Sequence, residues 1–502
     1  MYDAFDKLPP LHPRRDPEYA CALTSRELRR VFARCGDFRI RPIEPGLEGG
    51  GRVCLAWLEG LVSGEAAAEE LLRPLTERRR TGGLSDERLF ERLLRGGVCA
   101  LPAQARDTMD ALVTDLTHGC CALLFDDLRR ALCFELRGGA RRNVAEPTLE
   151  KSLKGAKDSF VEALRVNTAL VRQRLATPQL KLLESSLGRK SSTQVGLLYL
   201  EGVADPAKVE ALAGRLDTLD VDALLATGIV EETISDAPRS PFPQVLHTER
   251  PDRFAMYLAD GRVGLLIDGL PIGLVVPVTL AEFMRVTGER SSSFLISSVL
   301  SVLRWFALLL GLLLPALYVA MAMYHQEMIP ARLLLSMIAA KQNVPFSTAL
   351  EVLGMLLAFT MLQEAGLRLP NPIGDTVSII GALIVGQSAV EAQVVSPIAI
   401  IVVAVSGISC YTLPSQDLAS AVRLCSFLAL LSAAAAGLYG VGLFCCLLLL
   451  HLAGIDSFGV SYTAPLSEGA ALALPRLLLR RPLRRDKLRD PFLNTPDRRR
   501  QA

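Results

Sequence analysis

Two polar side chains stand in a stretch that is otherwise apolar. Gln387 and Glu391 lie four residues apart in the run from Gly374 to Val394, which also carries Asp375, Ser378 and Ser388. On a helix, a four-residue step puts both on one face. An ionisable group that faces lipid costs about 2.5 kcal/mol or more, so this face is expected to turn inward or toward water. Two readings follow. Gln387 and Glu391 line an ion path, or Glu391 sits at the membrane interface near a helix end. Gly374, Gly381 and Gly386 in the same run allow helices to approach closely.

A second group is basic. Arg165, Arg172 and Arg174 fall in a stretch where Phe160, Leu164, Thr168 and Val171 follow a helical period. Arg165 and Arg172 share a face, which is expected to pack against carboxylates, between subdomains or within an oligomer. Solvated charge is the alternative. His247, in His247-Thr248-Glu249-Arg250-Pro251-Asp252, reads as a solvated or structural histidine. The sequence contains no GxGxxG, P-loop, GxSxG or HExxH pattern, and none of its 11 cysteines forms a CxxC pair. The expectation is a protein that is not an enzyme and has no metal or cofactor.

The elements that position these residues come in two kinds. The chain has 502 residues, with 55 Lys+Arg against 53 Asp+Glu, and this near-balance excludes bulk nucleic acid as a partner. From Leu424 to Ile455 there is no Asp, Glu, Lys or Arg, and from Val299 to Gln326 only Arg304 is charged. A bilayer needs about 20 mainly apolar helical residues. Residues 295–456 are therefore expected to form an all-α polytopic membrane domain with spans near 300–323, 374–394, 396–413 and 424–452. The stretch 331–369, interrupted by Glu351, Gln363 and Glu364, is expected to lie at the interface. If it crosses, the spans become five and the even number that puts both ends on one side fails, so four full spans are expected. The first strongly apolar segment arrives near residue 300, so the leading part is expected in the cytoplasm. Seven basic residues against one acid between Arg476 and Arg489 place the tail on the same side.

The leading part repeats itself. Val53-Cys54-Leu55-Ala56-Trp57-Leu58-Glu59-Gly60 answers Val195-Gly196-Leu197-Leu198-Tyr199-Leu200-Glu201-Gly202, at an offset of 195 − 53 = 142. Leu123 to Asp126 answers Leu265 to Asp268 at the same offset, 265 − 123 = 142. Strand–helix–strand order predicts an α/β unit in each copy. The expected fold is an α/β cytoplasmic domain of two repeated subdomains followed by an all-α polytopic membrane domain. Its parts are an N-terminal tail (1–45), a first α/β subdomain (46–140), a helical connector (141–190), a second α/β subdomain (191–290), the membrane domain (295–456) and a basic tail (457–502).

Several dispersed motifs carry a resemblance. They include Thr248-Glu249-Arg250-Pro251-Asp252, Leu314-Pro315-Ala316-Leu317-Tyr318, and Glu364-Ala365-Gly366-Leu367-Arg368-Leu369-Pro370. Gly381-Ala382-Leu383-Ile384-Val385-Gly386-Gln387 and Ser457-Phe458-Gly459-Val460 complete the pattern. In these the sequence resembles the GerA spore germination receptor family, A-subunit type, which includes SpoVAF-like proteins. Ser461 departs from the family, which often has proline there, and residues 1–140 match weakly. The resemblance implies a multi-pass protein of the spore inner membrane with its N-terminal domain in the cytoplasm. It also implies a homo-oligomer in the lipid bilayer, working with a B-type permease-like subunit and a C-type lipoprotein subunit. The implied activity is a nutrient-gated ion path, or, for the SpoVAF-like type, assistance in calcium–dipicolinate release. A secondary transporter for a small solute stands as a further alternative. Transporters often carry inverted repeats of their spans, whereas the repeat found here lies in the soluble half.

Overall fold

The structure is a computed structural model that describes residues 19–43, 53–77, 84–138, 147, 150, 155–286, 288, 292–368, 386–468, 477–480, 482 and 486–500. The leading part holds two five-stranded sheets. The first contains β1 (Phe38–Ile43), β2 (Val53–Leu58), β3 (Ala103–Arg106), β4 (Cys120–Phe125) and β5 (Arg130–Glu135), in the order β1-β2-β4-β5-β3. The second contains β6 (Leu180–Leu187), β7 (Thr193–Leu200), β8 (Leu246–Thr248), β9 (Val263–Ile267) and β10 (Gly273–Val276), in the order β6-β7-β9-β10-β8. Every pairing within both sheets is antiparallel.

The two orders are the same once each strand is matched to its repeat. β1 and β6 begin 180 − 38 = 142 residues apart. Two pairs of glycines keep the same spacing. Gly60 and Gly202 (202 − 60 = 142) have φ of +82° and +80°, and Gly119 and Gly261 (261 − 119 = 142) have φ of +89° and +99°. These four turns need left-handed backbone, which glycine adopts without steric cost. Central strands are apolar on both faces because both faces are covered. In β4, Cys121, Leu123 and Phe125 enter one core, while Ala122 and Leu124 enter the other.

Helices cover these sheets: α1 (Ser25–Val31), a run over 64–76, α2 (Asp86–Leu94) and α3 (Met109–Thr117) in the first copy. The connector carries α4 (Leu164–Arg174). The second copy has α5 (Pro206–Asp217), α6 (Thr227–Ile234) and α7 (Pro251–Ala259). Two boundaries differ from expectation. β1 occupies the end of the stretch expected to be an N-terminal tail, and β6 occupies the end of the expected helical connector. The reason lies in pairing. β6 is an edge strand of the second sheet and also meets the first copy, where the Gly36 N–H donates to Leu182 O (2.9 Å) and the Leu182 N–H to Arg34 O (3.0 Å).

The helical half begins with α8 (Phe294–Tyr324), then α9 (Ala331–Lys341), α10 (Thr348–Arg368), α11 (Pro397–Tyr411) and α12 (Gln416–Ala453). Three helices are long and apolar enough to cross a membrane: Phe294–Tyr324, Thr348–Ala365 and Gln416–Ala453. The stretch 331–369, expected as one interfacial piece, holds two helices, of which α10 packs in the bundle and is long and apolar enough to cross. Its Glu351 is buried, accepts from Ser396 N (3.4 Å) and Ser396 Oγ (3.0 Å) through Oε2, and has Lys341 Nζ 3.7 Å from Oε1, so its charge faces a positive group rather than lipid. The expected span at 396–413 is a 15-residue helix, about 22 Å long and shorter than a bilayer core. The expected span at 374–394 lies outside the described residues up to 385.

α12 is a hairpin. Ala436 (φ −141°, ψ 18°) and Gly437 (φ 58°, ψ −141°) leave helical geometry. A Cβ on Gly440 would stand 2.0 Å from Ser432 O, an approach impossible along a straight helix. Tyr324 Oη, at the end of α8, donates to Ala434 O (2.6 Å) beside the turn. Both ends of the hairpin return to the second subdomain. The residues after it form a two-stranded ribbon, β11 (Asp456–Ser457) and β12 (Val460–Ser461), and the C-terminal residues then lie on the second subdomain. Lys208 Nζ donates to Leu493 O, Arg489 Nε to Ala259 O (2.9 Å) and Asp497 N to Gly202 O (3.3 Å). The α/β part and the C-terminal residues therefore sit at one end of the helical bundle.

Candidate functional site

The helices are joined to the second subdomain by one continuous apolar core. Phe254, Leu258, Val278 and Tyr462 share it with Leu312 of α8 and Leu418, Val422 and Leu452 of α12. Burying these side chains fixes the bundle's foot on the sheet.

Two histidines flank this core. His247, in β8, donates from Nε2 to Glu231 of α6 (2.8 Å) and from Nδ1 to Asp417 in the first turn of α12 (3.3 Å). Two donors on one imidazole require the protonated ring. Burial opposes that charge, but hydrogen bonds to Asp417 and Glu231 outweigh it and raise the pKa to about 9. His451, in the last turn of α12, pairs Nε2 with Ser240 Oγ (2.9 Å), and its ring lies 6.1 Å from that of Phe242. Both arms of the hairpin thus hang from the second subdomain. This junction is the candidate functional site. Sequence reading set His247 aside as solvated or structural; its partner Asp417 lies 170 residues away, and only the adjacency of His247 to the 248–252 motif marked it.

The motif residues do local work. Arg250 forms two hydrogen bonds to Asp252 (Nε to Oδ1 3.0 Å, Nη2 to Oδ2 2.7 Å), and Pro251 opens α7. Thr248 Oγ1 donates to Glu150 Oε2 (2.6 Å), and Arg253 pairs with the same carboxylate. Glu249 accepts from Phe160 N (2.7 Å) through its carbonyl. Thr248 to Asp252 therefore pin the connector to the second sheet.

The connector arginines each meet a carboxylate. Arg172 holds Asp37 (Nε to Oδ2 2.6 Å, Nη2 to Oδ1 2.8 Å), and the two side chains are 1% and 2% exposed. Arg165 pairs with Glu184 and with Glu59 (3.3 Å), and Arg174 with Asp158. Arg172 thus joins the connector to the segment leading into β1 within one chain.

Gln387 and Glu391 fall in a helical turn at 386–391 and are exposed on the single chain, while Gly386 is half-buried. Arg368 ends α10. Pro370 and Gly381 lie outside the described residues. Among the described residues, no cluster of three or more His, Cys, Asp or Glu is arranged to hold a metal ion.

The sequence matches known proteins across most of its length. The family model "Bacillus/Clostridium GerA spore germination protein" matches residues 26–492. The chain belongs to the GerA family. Among GerA relatives, spore germination protein KA of Bacillus subtilis is 32% identical over 476 residues, covering 95% of this chain and 87% of that protein. An uncharacterized B. subtilis membrane protein, YfkQ, is 35% identical over 446 residues, covering 88% of this chain and 83% of that one. The solved N-terminal domain of the A subunit of a Bacillus megaterium spore germinant receptor aligns with a TM-score of 0.42 and 28% identity, covering 52% of this chain and 97% of that one. As a GerA member with long apolar helices, the chain is a membrane protein.

Proposed function

We propose that this GerA-family protein is the A-type subunit of a germinant receptor in the spore inner membrane. In this reading it opens an ion path when a nutrient signal arrives. Copies of the chain assemble around the path, with a B-type permease-like subunit and a C-type lipoprotein subunit as partners, and the α/β part lies in the cytoplasm. The observation that carries this reading is the junction. His247 and His451 tie both arms of the α12 hairpin to the second subdomain, so displacement of that subdomain pulls on membrane helices. Glu391 and Gln387, exposed on one chain, supply polar side chains to a path formed between copies.

The test is Glu391→Gln, which keeps the size and removes the charge. In spores carrying this variant at wild-type abundance, monovalent cation release after the germinant should slow, and cation selectivity should fall. Release indistinguishable from wild type removes Glu391 from the path. A reconstituted wild-type assembly that stays non-conducting with its partners and signal present overturns the ion-path reading itself.

A further inference from the structure

Arg423 lies six residues beyond Asp417 on the first arm of α12, roughly 9 Å further from the second subdomain. Its guanidinium donates to Ala419 O (3.4 Å), to Ser420 Oγ (3.1 Å) and to Gln363 Oε1 of α10. All three acceptors are neutral. Among the described residues, no carboxylate pairs with it. Arg423 is half-buried, and the part of it inside the bundle meets neutral partners alone, so the low-dielectric surroundings there replace water without supplying countercharge.

Beside Arg423 is a small cleft bounded by four helices, with Gly311 of α8 and Gly407 of α11 forming part of its wall. It holds little more than a water-sized group. Two of its hydroxyls are already committed: Ser406 Oγ donates to Gly311 O (3.0 Å) and Thr360 Oγ1 to Leu356 O (2.7 Å). Ser426, one turn on from Arg423, is 3% exposed, and its Oγ has no hydrogen-bond partner among the described residues. Gln363, 8% exposed, gives its oxygen to Arg423, so its amide N–H groups remain as donors. The cleft therefore offers a fixed positive charge, an amide and an unused hydroxyl, and, among the described residues, no negative group.

We propose that this cleft binds a small monovalent anion of halide size, with chloride as the probe. The anion supplies the countercharge that Arg423 lacks and accepts from Ser426 and Gln363. Because α8, α10, α11 and α12 all line the cleft, the bound ion ties four helices together at one level of the bundle. The site does not depend on the ion-path reading, since it would fill whether or not the protein conducts.

The experiment uses the purified full chain in maltoside micelles free of phospholipid. Thermal unfolding is followed as sodium chloride replaces sodium gluconate at constant ionic strength, with radiolabelled chloride binding measured in parallel. The wild type should show a saturable rise in Tm and saturable chloride binding. Ser426→Ala, which removes one hydroxyl from a packed helix, should weaken apparent chloride affinity tenfold or more, and Arg423→Gln should abolish binding. Equal melting in chloride and gluconate overturns the site. So does a chloride response in Ser426→Ala equal to that of the wild type. If Arg423→Gln fails to fold, the Ser426→Ala comparison still decides.

Discussion

Arg172 and Asp37 stand 135 residues apart and meet in two near-parallel hydrogen bonds, with almost no solvent on either side chain. Arg172 also donates to Thr177 O (3.1 Å) and Leu180 O (3.1 Å), so the guanidinium closes the chain between α4 and β6. Removing one partner strands a buried charge. Asp37→Ala is expected to destabilise the protein by about 3–5 kcal/mol, read from denaturant unfolding of the full chain. Replacing both residues together by apolar ones of similar volume should recover most of the loss. Equal destabilisation in the single and double variants would contradict the pair.

The His247 junction predicts a pH dependence with a definite sign. The folded pKa is raised to about 9 from an ordinary value near 6.5. Its stabilisation is therefore complete below about pH 6.5 and is lost as pH rises through about 9. Melting of the full chain between pH 6 and 10 should show this decline, and His247→Gln should flatten it. A variant that keeps the same slope would assign the dependence to other groups.

The hairpin in α12 can be measured directly. Spin labels at Ser420 and Leu449 would be about 44 Å apart on a straight helix, at 1.5 Å per residue over 29 residues. Folded back, they should be separated by a far smaller distance in the reconstituted protein. A distance near the straight-helix value would rule the turn out. Gly437 should tolerate substitution badly, since its φ of 58° with ψ of −141° suits glycine alone. Gly437→Val is expected to cost about 1–3 kcal/mol and to lower the level of protein in the membrane.

The shared side of the two ends of the chain is a further expectation. A cysteine at the exposed Arg498 should resist an impermeant thiol reagent on intact cells, as should one at the exposed Arg30. Labelling of one and not the other would break the placement of the tail against the second subdomain.

Much of this was legible in the sequence, and the failures have physical causes. The 142-residue repeat could be read because strands covered on both faces must be continuously apolar, and because Gly60 and Gly202 follow them as left-handed turns. β6 was not legible. Leu180-Lys181-Leu182-Leu183-Glu184-Ser185-Ser186-Leu187 has no clean two-residue alternation, since Lys181 is buried against the first copy and pairs with Glu201 (3.2 Å). The α12 turn carries neither proline nor charge. It follows four alanines, Ala433 to Ala436, which are good helix formers, so the local signal is Gly437 alone, and the packing of Tyr324 beside it completes the turn. The junction could not be found from spacing, because His247 and Asp417 meet only through the fold.

The C-terminal residues also make the two halves of the duplication unequal. At Gly60 the nearest neighbours of an added Cβ would be Arg165 O and Ala169 of α4, whereas its counterpart Gly202 has open space; at Gly119 a Cβ would meet Leu61 O of its own copy, whereas at its counterpart Gly261 it would meet Thr495. One copy is roofed by the connector and the other by a strap that arrives only after α12 has been made. On the ribosome, the first copy can close as soon as α4 emerges, while the second waits for residues 489–497, with Lys208 lacking Leu493 O until then. Completion of the second α/β unit is thereby tied to completion of the helical bundle. A nonsense change ahead of Arg489 would leave the translated helices attached to an unfinished sheet domain.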